Sequence, residues 1–321
     1  MSRASQRRDT ARRAVVGLFA LTAALVAVIL VQILRSGTDP ANTSAPGYLP
    51  LAYSATAVLV VVFVIAAFVR RLDIVFTEGG SSDESPAYLA TITDPRVRVL
   101  TMPKGTSAAA NWTAASEAAR GDLVKLVCQD DLLHPDAIAT QAGDLLAHPT
   151  AVMAVAQRDV VDAAGQVLYP RRGCAGLTNG VMRGSDVMQA AYLQGTNVLG
   201  EPVAVMFRRD ALWLALPWDD TDPFLLDLAL YAKVAREGDV VVRKESIGAF
   251  RVSTSSWSTR LIGEQVRQFE RWQHAYARSL PVPPSALQRA RAKAGLHTQA
   301  LLRRGAYRWL ALKGKLQTPD T

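Results

Sequence analysis

Hydrophobic and polar positions divide this chain into two regimes. Ala14 to Leu34 and Leu49 to Val69 are uncharged runs of 21 residues each, and only Thr22 and Gln32 are notably polar in the first. About 20 apolar residues span a bilayer core, so each run is long enough for a transmembrane helix. Residues 35–48 between them are rich in Gly, Pro, Ser, Thr and Asn, the chemistry of a solvated loop. Arg3, Arg7, Arg8, Arg12 and Arg13 precede the first run, and Arg70 and Arg71 follow the second. The positive-inside rule then predicts both termini in the cytoplasm and the loop outside.

After Arg71 the pattern shortens and alternates. Leu72 to Thr77 and Val97 to Leu100 read as strands, and Glu78 to Asp83 as a turn. Leu123 to Cys128 and Val152 to Ala156 read as further strands, and Val160 to Leu168 as a strand and turn around Asp162 and Gly165. Helices are predicted over Glu84–Thr91, capped by Ser82 or Asp83, over Ser107–Arg120 and over Pro135–Ala147. Strand and helix in alternation predict an α/β domain, with a mostly parallel sheet flanked by helices. The boundaries follow: a basic arm at 1–13, spans at 14–34 and 49–69, a loop at 35–48, the α/β domain at 70–259 and a basic helical tail at 260–321.

Charge sharpens this division. The net charge of +8 hides a middle segment, residues 72–259, with 16 basic and 23 acidic side chains. Residues 1–71 carry 8 basic against 2 acidic, and residues 260–321 carry 12 against 3. A nucleic-acid binder is expected to carry its positive charge on the folded domain. Here it sits at the ends, beside apolar runs, which points toward a lipid surface. Two cysteines, Cys128 and Cys174, build no disulfide framework.

Two acidic turns follow predicted strands, Glu78 to Asp83 and Asp130-Asp131. In α/β sheets ligands sit beyond the carboxyl ends of strands. Paired carboxylates there suit a hard divalent cation, Mn2+ or Mg2+, that shares its shell with phosphate. A polar turn or a helix cap is the plain alternative.

The ordered set of segments from about Leu72 to Ser258 resembles the family-2 glycosyltransferases of the GT-A fold. Asp73 to Asp83 resembles the second strand and its D-G-S-x-D turn. Asn111 to Cys128 resembles the helix and strand that follow, and Cys128-Gln-Asp-Asp-Leu-Leu-His-Pro135 resembles the metal-binding D-x-D-D segment with its first acid replaced. Gly195-Thr-Asn-Val-Leu-Gly-Glu-Pro202 resembles the acceptor-side G-x-N-x-x-G-E-P. Phe250-Arg-Val252 with Ser255 to Ser258 resembles the closing F-R-x-x-x-x-S-x-S. The resemblance implies an inverting transfer of a sugar from a nucleotide-sugar donor to an acceptor hydroxyl. The tether at the inner membrane points to a lipid-linked or saccharide acceptor, and the composition to a bacterial cell-envelope setting. The resemblance also implies Asp130 as the metal ligand supported by Asp131, and Asp227 as the base with Glu201 as second candidate. Glu78, Asp83, Asn111, Asp130 and Arg251 fall at the donor side. By their residues alone, Asp227 is equally a helix N-terminal acid, Glu201 a partner of Arg208 or Arg209, and Arg251 a loop holder.

The chain departs from that family at its start. The usual first strand, V-S-V-V-I-P-T-Y-N, and its helix are not found before Leu72. A sheet lacking an inner strand leaves unpaired backbone groups, unless part of Ala55–Val69 takes that place at the expense of the second span. Three readings stay open: an active membrane-tethered transferase, a degenerate member that scaffolds an envelope-assembly complex, and a membrane protein whose cytosolic domain regulates partners. In the tail, Leu287–Leu302 and Gly305–Leu316 can be written as basic helices. They read either as interfacial helices on anionic lipid or as a solvated face packed on the domain.

Overall fold

The computed structural model describes residues 72–252 and 263–314. The spans, arm and loop expected within residues 1–69, the alternative strand in Ala55–Val69, and the Ser255 to Ser258 segment lie outside the described residues. The chain divides into two compact units, Met1–Val69 and Arg70–Thr321. Among the described residues no helix is long and apolar enough to cross a membrane.

The second unit opens with β1 (Ile74–Glu78), α1 (Ser85–Ala90), β2 (Val97–Thr101) and α2 (Ala108–Ala118). Next come β3 (Leu123–Val124), β4 (Leu132–Leu133), α3 (Ala137–Ala147), β5 (Ala151–Val161), β6 (Val167–Arg172) and β7 (Gly180–Arg183). The remaining elements are α4 (Gly184–Gln194), β8 (Val205–Arg208), α5 (Arg209–Ala215), α6 (Leu226–Val234), β9 (Asp239–Arg251), α7 (Gln265–Ser279) and α8 (Ala286–Leu312). The first predicted elements fall where expected, since each carries a local signal. Ser107 Oγ accepts from the Ala110 amide to cap α2. The cap expected at Ser82 or Asp83 is corrected: Glu84 is the N-cap of α1 and has no side-chain cap bond, while Asp83 Oδ1 accepts from the Ser85 amide from one residue outside it.

The expectation of a mostly parallel sheet is corrected. β1 and β2 pair in parallel as a two-stranded sheet. The larger sheet runs β3-β8-β5-β9-β4, with β6 on β5 and β7 on β9. Within it only β5 and β9 are parallel among the described strands. The reason lies in the connections. β5 turns into β6 through the short Asp162–Gln166 loop, and a loop that short joins only antiparallel neighbours. The alternation of elements signals layers, not strand direction.

Among the described residues no strand joins the β1–β2 pair to the larger sheet, so the two sheets are separate. Side chains tie the two parts together instead. Asp73 accepts from Arg98 at 2.7 Å and from the Arg120 amide at 2.9 Å, and Arg98 also donates to the Ala118 carbonyl. Trp218 meets Trp112 of α2 edge to face at 5.1 Å and donates to Ser116 Oγ.

β5 is buried along almost its whole length, as a strand with a layer on each face must be. Ala151 and Ala154 pack with Leu145 of α3, Met206 and Val241. Val152, Met153 and Val155 join the main core with Val187, Phe207, Leu228 and Tyr231.

The expected boundary at 259/260 does not separate the tail from this core. Phe269, Trp272 and Tyr276 of α7, spaced three and four apart, are buried in it. This apolar spacing marks α7, which the sequence reading left unassigned. α8 is one helix rather than two, and it continues through Gly305, where a Cβ would meet nothing within 4 Å. A solvated glycine costs about 1 kcal/mol in a helix, too little to break a well-packed one. Ser285 and Gln288 close a capping box at its start. α8 crosses α4 at two glycines. A Cβ on Gly195 would lie 2.3 Å from Leu296 Cα, and one on Gly295 would lie 2.6 Å from the Leu193 carbonyl oxygen. Gly195 also sits at φ +63° as the end of α4, which a glycine adopts at little cost.

Candidate active site

The acidic side chains expected to act together do converge. Asp131 follows the short β3, Glu201 precedes a single 3-10 turn (Pro202–Ala204), and Asp227 lies in the first turn of α6. All three, with Asp130, act on the Cys128 thiol, whose pKa is raised by burial and then by these charges. Cys128 is therefore held as a neutral thiol, which excludes it as a nucleophile.

Asp227 is half-buried at the start of α6. Its carboxyl is pushed up to about 7, first by burial and then by the charge of Glu201. Asn197 Nδ2 donates to Asp227 Oδ2 at 2.8 Å, and the Leu228 amide donates to its Oδ1 at 2.6 Å. Those bonds hold the carboxylate in place and resist the upward shift. Asn197 is itself fixed, because its Oδ1 accepts from the Leu199 and Gly200 amides. Tyr231, one turn on from Asp227, is buried with its hydroxyl unpartnered. Asp227 thus lies at a helix start, as its plain reading expects, and its carboxyl is raised toward neutrality.

Glu201 does not pair with Arg208 or Arg209. Its partner is Arg158 on β5, at 2.5 Å. Arg208 instead donates to the Ala151, Leu145 and His148 carbonyls, and Arg209 pairs with Asp122. The error has a physical origin: adjacency along the chain does not report which strand lies beside a loop. Gly200 makes room for the pair, since a Cβ there would lie 3.2 Å from Arg158 Nε.

Asp131 is the better metal ligand of the acidic pair. Its Oδ1 accepts from the Arg251 amide at 3.2 Å, and its Oδ2 is buried without a partner. Burial, and then the charges of Asp130 and Glu201, push its carboxyl up to about 8. A divalent cation would satisfy the open oxygen and reverse that shift, so the residues fit such an ion. Among the described residues no group of three or more His, Cys, Asp or Glu side chains is arranged to hold a metal alone. The ion would have to share its shell with water and phosphate oxygens, as magnesium and manganese do.

Arg251 acts as a loop holder. Its Nε donates to the Asp130 carbonyl, and its Nη1 donates to the Asp162 and Ala163 carbonyls. His134 receives the same reading as packing: its ring Nδ1 meets the Ser246 carbonyl at 3.1 Å.

Of the residues expected at the donor side, Glu78, Asp83 and Asn111 gather around the first turn, whereas Asp130 and Arg251 meet at the second acidic turn. Glu78 takes the Ser81 and Gly80 amides at 2.6 and 3.1 Å, bonds that hold it below the usual carboxylate range. Asp83, exposed, is held low in the same way by Ser85. Both carboxylates therefore shape the turn itself. Asn111 faces it from α2: its Nδ2 would lie 3.9 Å from a Cβ on Gly79, and its buried Oδ1 has no partner.

Three contributors escaped the sequence reading. Arg158 gave no local signal, because its role depends on strand pairing. Lys125 is buried with its Nζ donating to Gln141 Oε1 and the Val203 and Val205 carbonyls; burial pulls it down to about 7, while Asp131 opposes that shift. Arg303 of α8 reaches inward, donating to Thr196 Oγ1 at 3.0 Å and Gln265 Oε1 at 2.7 Å, with its guanidinium over the Phe224 ring. Burial lowers its pKa, while Tyr307, Glu201 and Asp227 favour its charged form.

Comparison with known proteins agrees with this geometry. Residues 60–214 match the family described as glycosyl transferase family 2. No curated protein sequence matches the chain. The structure of S. aureus TarS 1-349 is similar, with 11% identity, a TM-score of 0.51, and coverage of 74% of this chain and 64% of that one. A second S. aureus TarS structure has 12% identity and a TM-score of 0.49, covering 73% and 38%. The mannosyltransferase PcManGT from Pyrobaculum calidifontis, in complex with GDP-Man and Mn2+, has 16% identity and a TM-score of 0.45, covering 88% and 80%. This chain thus spans less than two thirds of the length of either TarS structure. At such identities likeness speaks to fold alone; the match of residues 60–214 to the glycosyl transferase family 2 model, just under half of the chain, together with a GT-A-like α/β fold, supports a glycosyltransferase.

Proposed function

We propose that this chain is a membrane-anchored inverting glycosyltransferase. It moves a sugar from a nucleotide-sugar donor to an acceptor hydroxyl, in the synthesis of cell-envelope polysaccharide or glycolipid. The observation that carries the reading is Asp227: a half-buried carboxylate near neutrality, steered by Asn197 and the Leu228 amide. Such a group accepts a proton from the attacking hydroxyl as the sugar leaves its phosphate. The Glu201 charge keeps Asp227 basic, and Arg158 holds Glu201 in place. Asp131, with Asp130 beside it, would hold Mn2+ or Mg2+, and a bound ion neutralises charge on a departing diphosphate. Glu78, Asp83 and Asn111 would form the donor-side turn.

The anchor rests on the two uncharged runs and their basic flanks. It places the enzyme at the cytoplasmic membrane, with both termini and the catalytic domain inside. Tethering raises the local concentration of a lipid-linked acceptor. A second reading, a degenerate scaffold, is favoured by one observation: the absence, among described residues, of a strand joining the β1–β2 pair to the larger sheet.

The test uses the detergent-purified full chain, Mn2+ and a panel of nucleotide sugars, with nucleoside diphosphate release as the readout. Asp227→Asn is expected to lose about a thousandfold in turnover while nucleotide binding is unchanged. A wild-type chain that binds no nucleotide would leave the scaffold reading standing.

A further inference from the structure

α8 buries one face and presents a second apolar stripe to solvent. Ala292, Leu296, Ala300 and Leu310 are buried, whereas Leu301, Leu302, Trp309 and Leu312 are 72, 61, 49 and 86% exposed. Large exposed apolar side chains clustered on one helix mark an interaction surface rather than ordinary scatter. Beside them lies an open groove of about 630 Å3, floored by Leu168 and Tyr169 of β6 and walled by Leu301, Leu302, Gly305 and Trp309 of α8.

The charge around this face has one sign. Residues 286–314 contain no Asp or Glu, and neither does β6. Arg304, Arg308 and Lys313 are exposed on the distal half of α8, and Arg171 and Arg172 are exposed at the end of β6. The Arg172 guanidinium lies over the Tyr169 ring at 5.7 Å, beside the groove floor. Arg303 takes no part, since it is turned into the domain.

We propose that this face, the distal half of α8 with β6, docks on an anionic lipid bilayer. Leucines and Trp309 enter the headgroup boundary while the arginines meet lipid phosphates. The chemistry matches an interfacial helix: aliphatic and Trp side chains on one stripe, basic side chains at its border, no carboxylates. Basic residues beside an anionic surface are attracted to it, and salt screens that attraction. A protein partner would be expected to meet some acidic or polar recognition group across this face, and the rim offers cations alone. The contact is separate from the proposed N-terminal anchor and from catalysis. It would set how the domain is oriented on the membrane.

Because the N-terminal runs would bring the full chain to vesicles in any case, the test reads depth rather than binding. A fluorophore is attached at Leu302→Cys in the full chain with Cys128→Ser, reconstituted into phosphatidylcholine vesicles with or without phosphatidylglycerol, some lipids carrying nitroxide. The reference position is Lys293→Cys, half a turn round the helix from residue 302. About threefold stronger lipid-borne quenching at 302 than at 293 is expected, and only with phosphatidylglycerol present. Arg304→Glu with Arg308→Glu should remove that difference. A second label at Leu312→Cys guards against local disturbance at 302 and should behave like it. Equal quenching at 302 and 293 would overturn the proposal. So would a label at 302 that, in vesicles of phosphatidylcholine alone, is shielded from a water-soluble quencher yet not quenched by lipid nitroxide, since the groove would then hold protein, either a segment of this chain or another.

Discussion

Asn197 holds Asp227 with one end of its amide and its own loop with the other. Its Nδ2 donates 2.8 Å to Asp227 Oδ2, while its Oδ1 takes the amides of Leu199 and Gly200. The same loop carries Glu201, whose charge raises Asp227. Position and acidity of the proposed base are thereby set by one short segment. Asn197→Ala should leave the fold intact yet lower turnover about tenfold to a hundredfold, with little change in nucleotide affinity. A kcat equal to wild type would show that Asp227 needs no such support.

The two raised carboxyls predict how stability follows pH. Asp227 and Asp131 titrate near 7 and 8 when folded, and near the ordinary aspartate value when unfolded. From about pH 4 to 7 the folded chain binds more protons at these two carboxyls, and stability falls as pH rises; above about 7 the depressed Lys125 works in the opposite direction and flattens the fall. Tm in the absence of divalent metal should be higher near pH 5 than near pH 8. Mn2+ should raise Tm most at the upper end, where Asp131 is ionised. Turnover should move the opposite way and rise through about 7, because the base must lose its proton. A Tm flat across that window would remove the basis for both shifts.

Asp131 and Asp130 should separate on substitution. Asp131→Asn removes the buried, unpartnered oxygen, so Mn2+-dependent nucleotide binding is expected to fall about a hundredfold. Asp130→Asn should cost less, since its observed contribution to the site is a carbonyl that accepts from Arg251. Isothermal titration with nucleoside diphosphate, with and without Mn2+, distinguishes the two. The reverse order of effects would return the principal ligand to Asp130.

Arg158 and Glu201 form a pair in which the arginine is 10% exposed and the glutamate 28% exposed. Arg158→Met should cost about 2 kcal/mol, because Glu201 keeps its charge without a partner. Adding Glu201→Gln to it should recover most of that loss, which a double-mutant cycle in urea would measure. A double variant as unstable as Arg158→Met alone would assign the cost to packing instead.

Two glycines of the tail region should respond in opposite directions. Gly195→Ala forces a Cβ into α8 at a positive φ, and about 3 kcal/mol of stability should be lost, with earlier proteolysis of α8. Gly305→Ala meets nothing within 4 Å and should stabilise α8 by up to about 1 kcal/mol. Denaturant midpoints of the two variants check both directions.

Local chemistry along the sequence was sufficient for much of this protein. Turn residues at Glu78 to Asp83, the Ser107 cap, the Ala-rich α2 and the Asp-Asp after β3 each carry their signal within a few residues, and they appear where expected. The grouping of Asp131, Glu201 and Asp227 was readable through ordered segments that resemble a known family. Strand direction was not, because a period-two apolar pattern is the same whichever way a neighbour runs. Nor was the partner of Glu201: Arg158 is 43 residues away and reaches it only because β5 lies beside the Glu201 loop. The inward turn of Arg303, while Arg304 and Arg308 just after it face solvent, depends on where α8 crosses α4 at Gly195 and Gly295. Sequence determined which segments could fold and which acids could act. Tertiary packing decided which charges were buried together, and burial is what brings an ordinary carboxyl to neutrality.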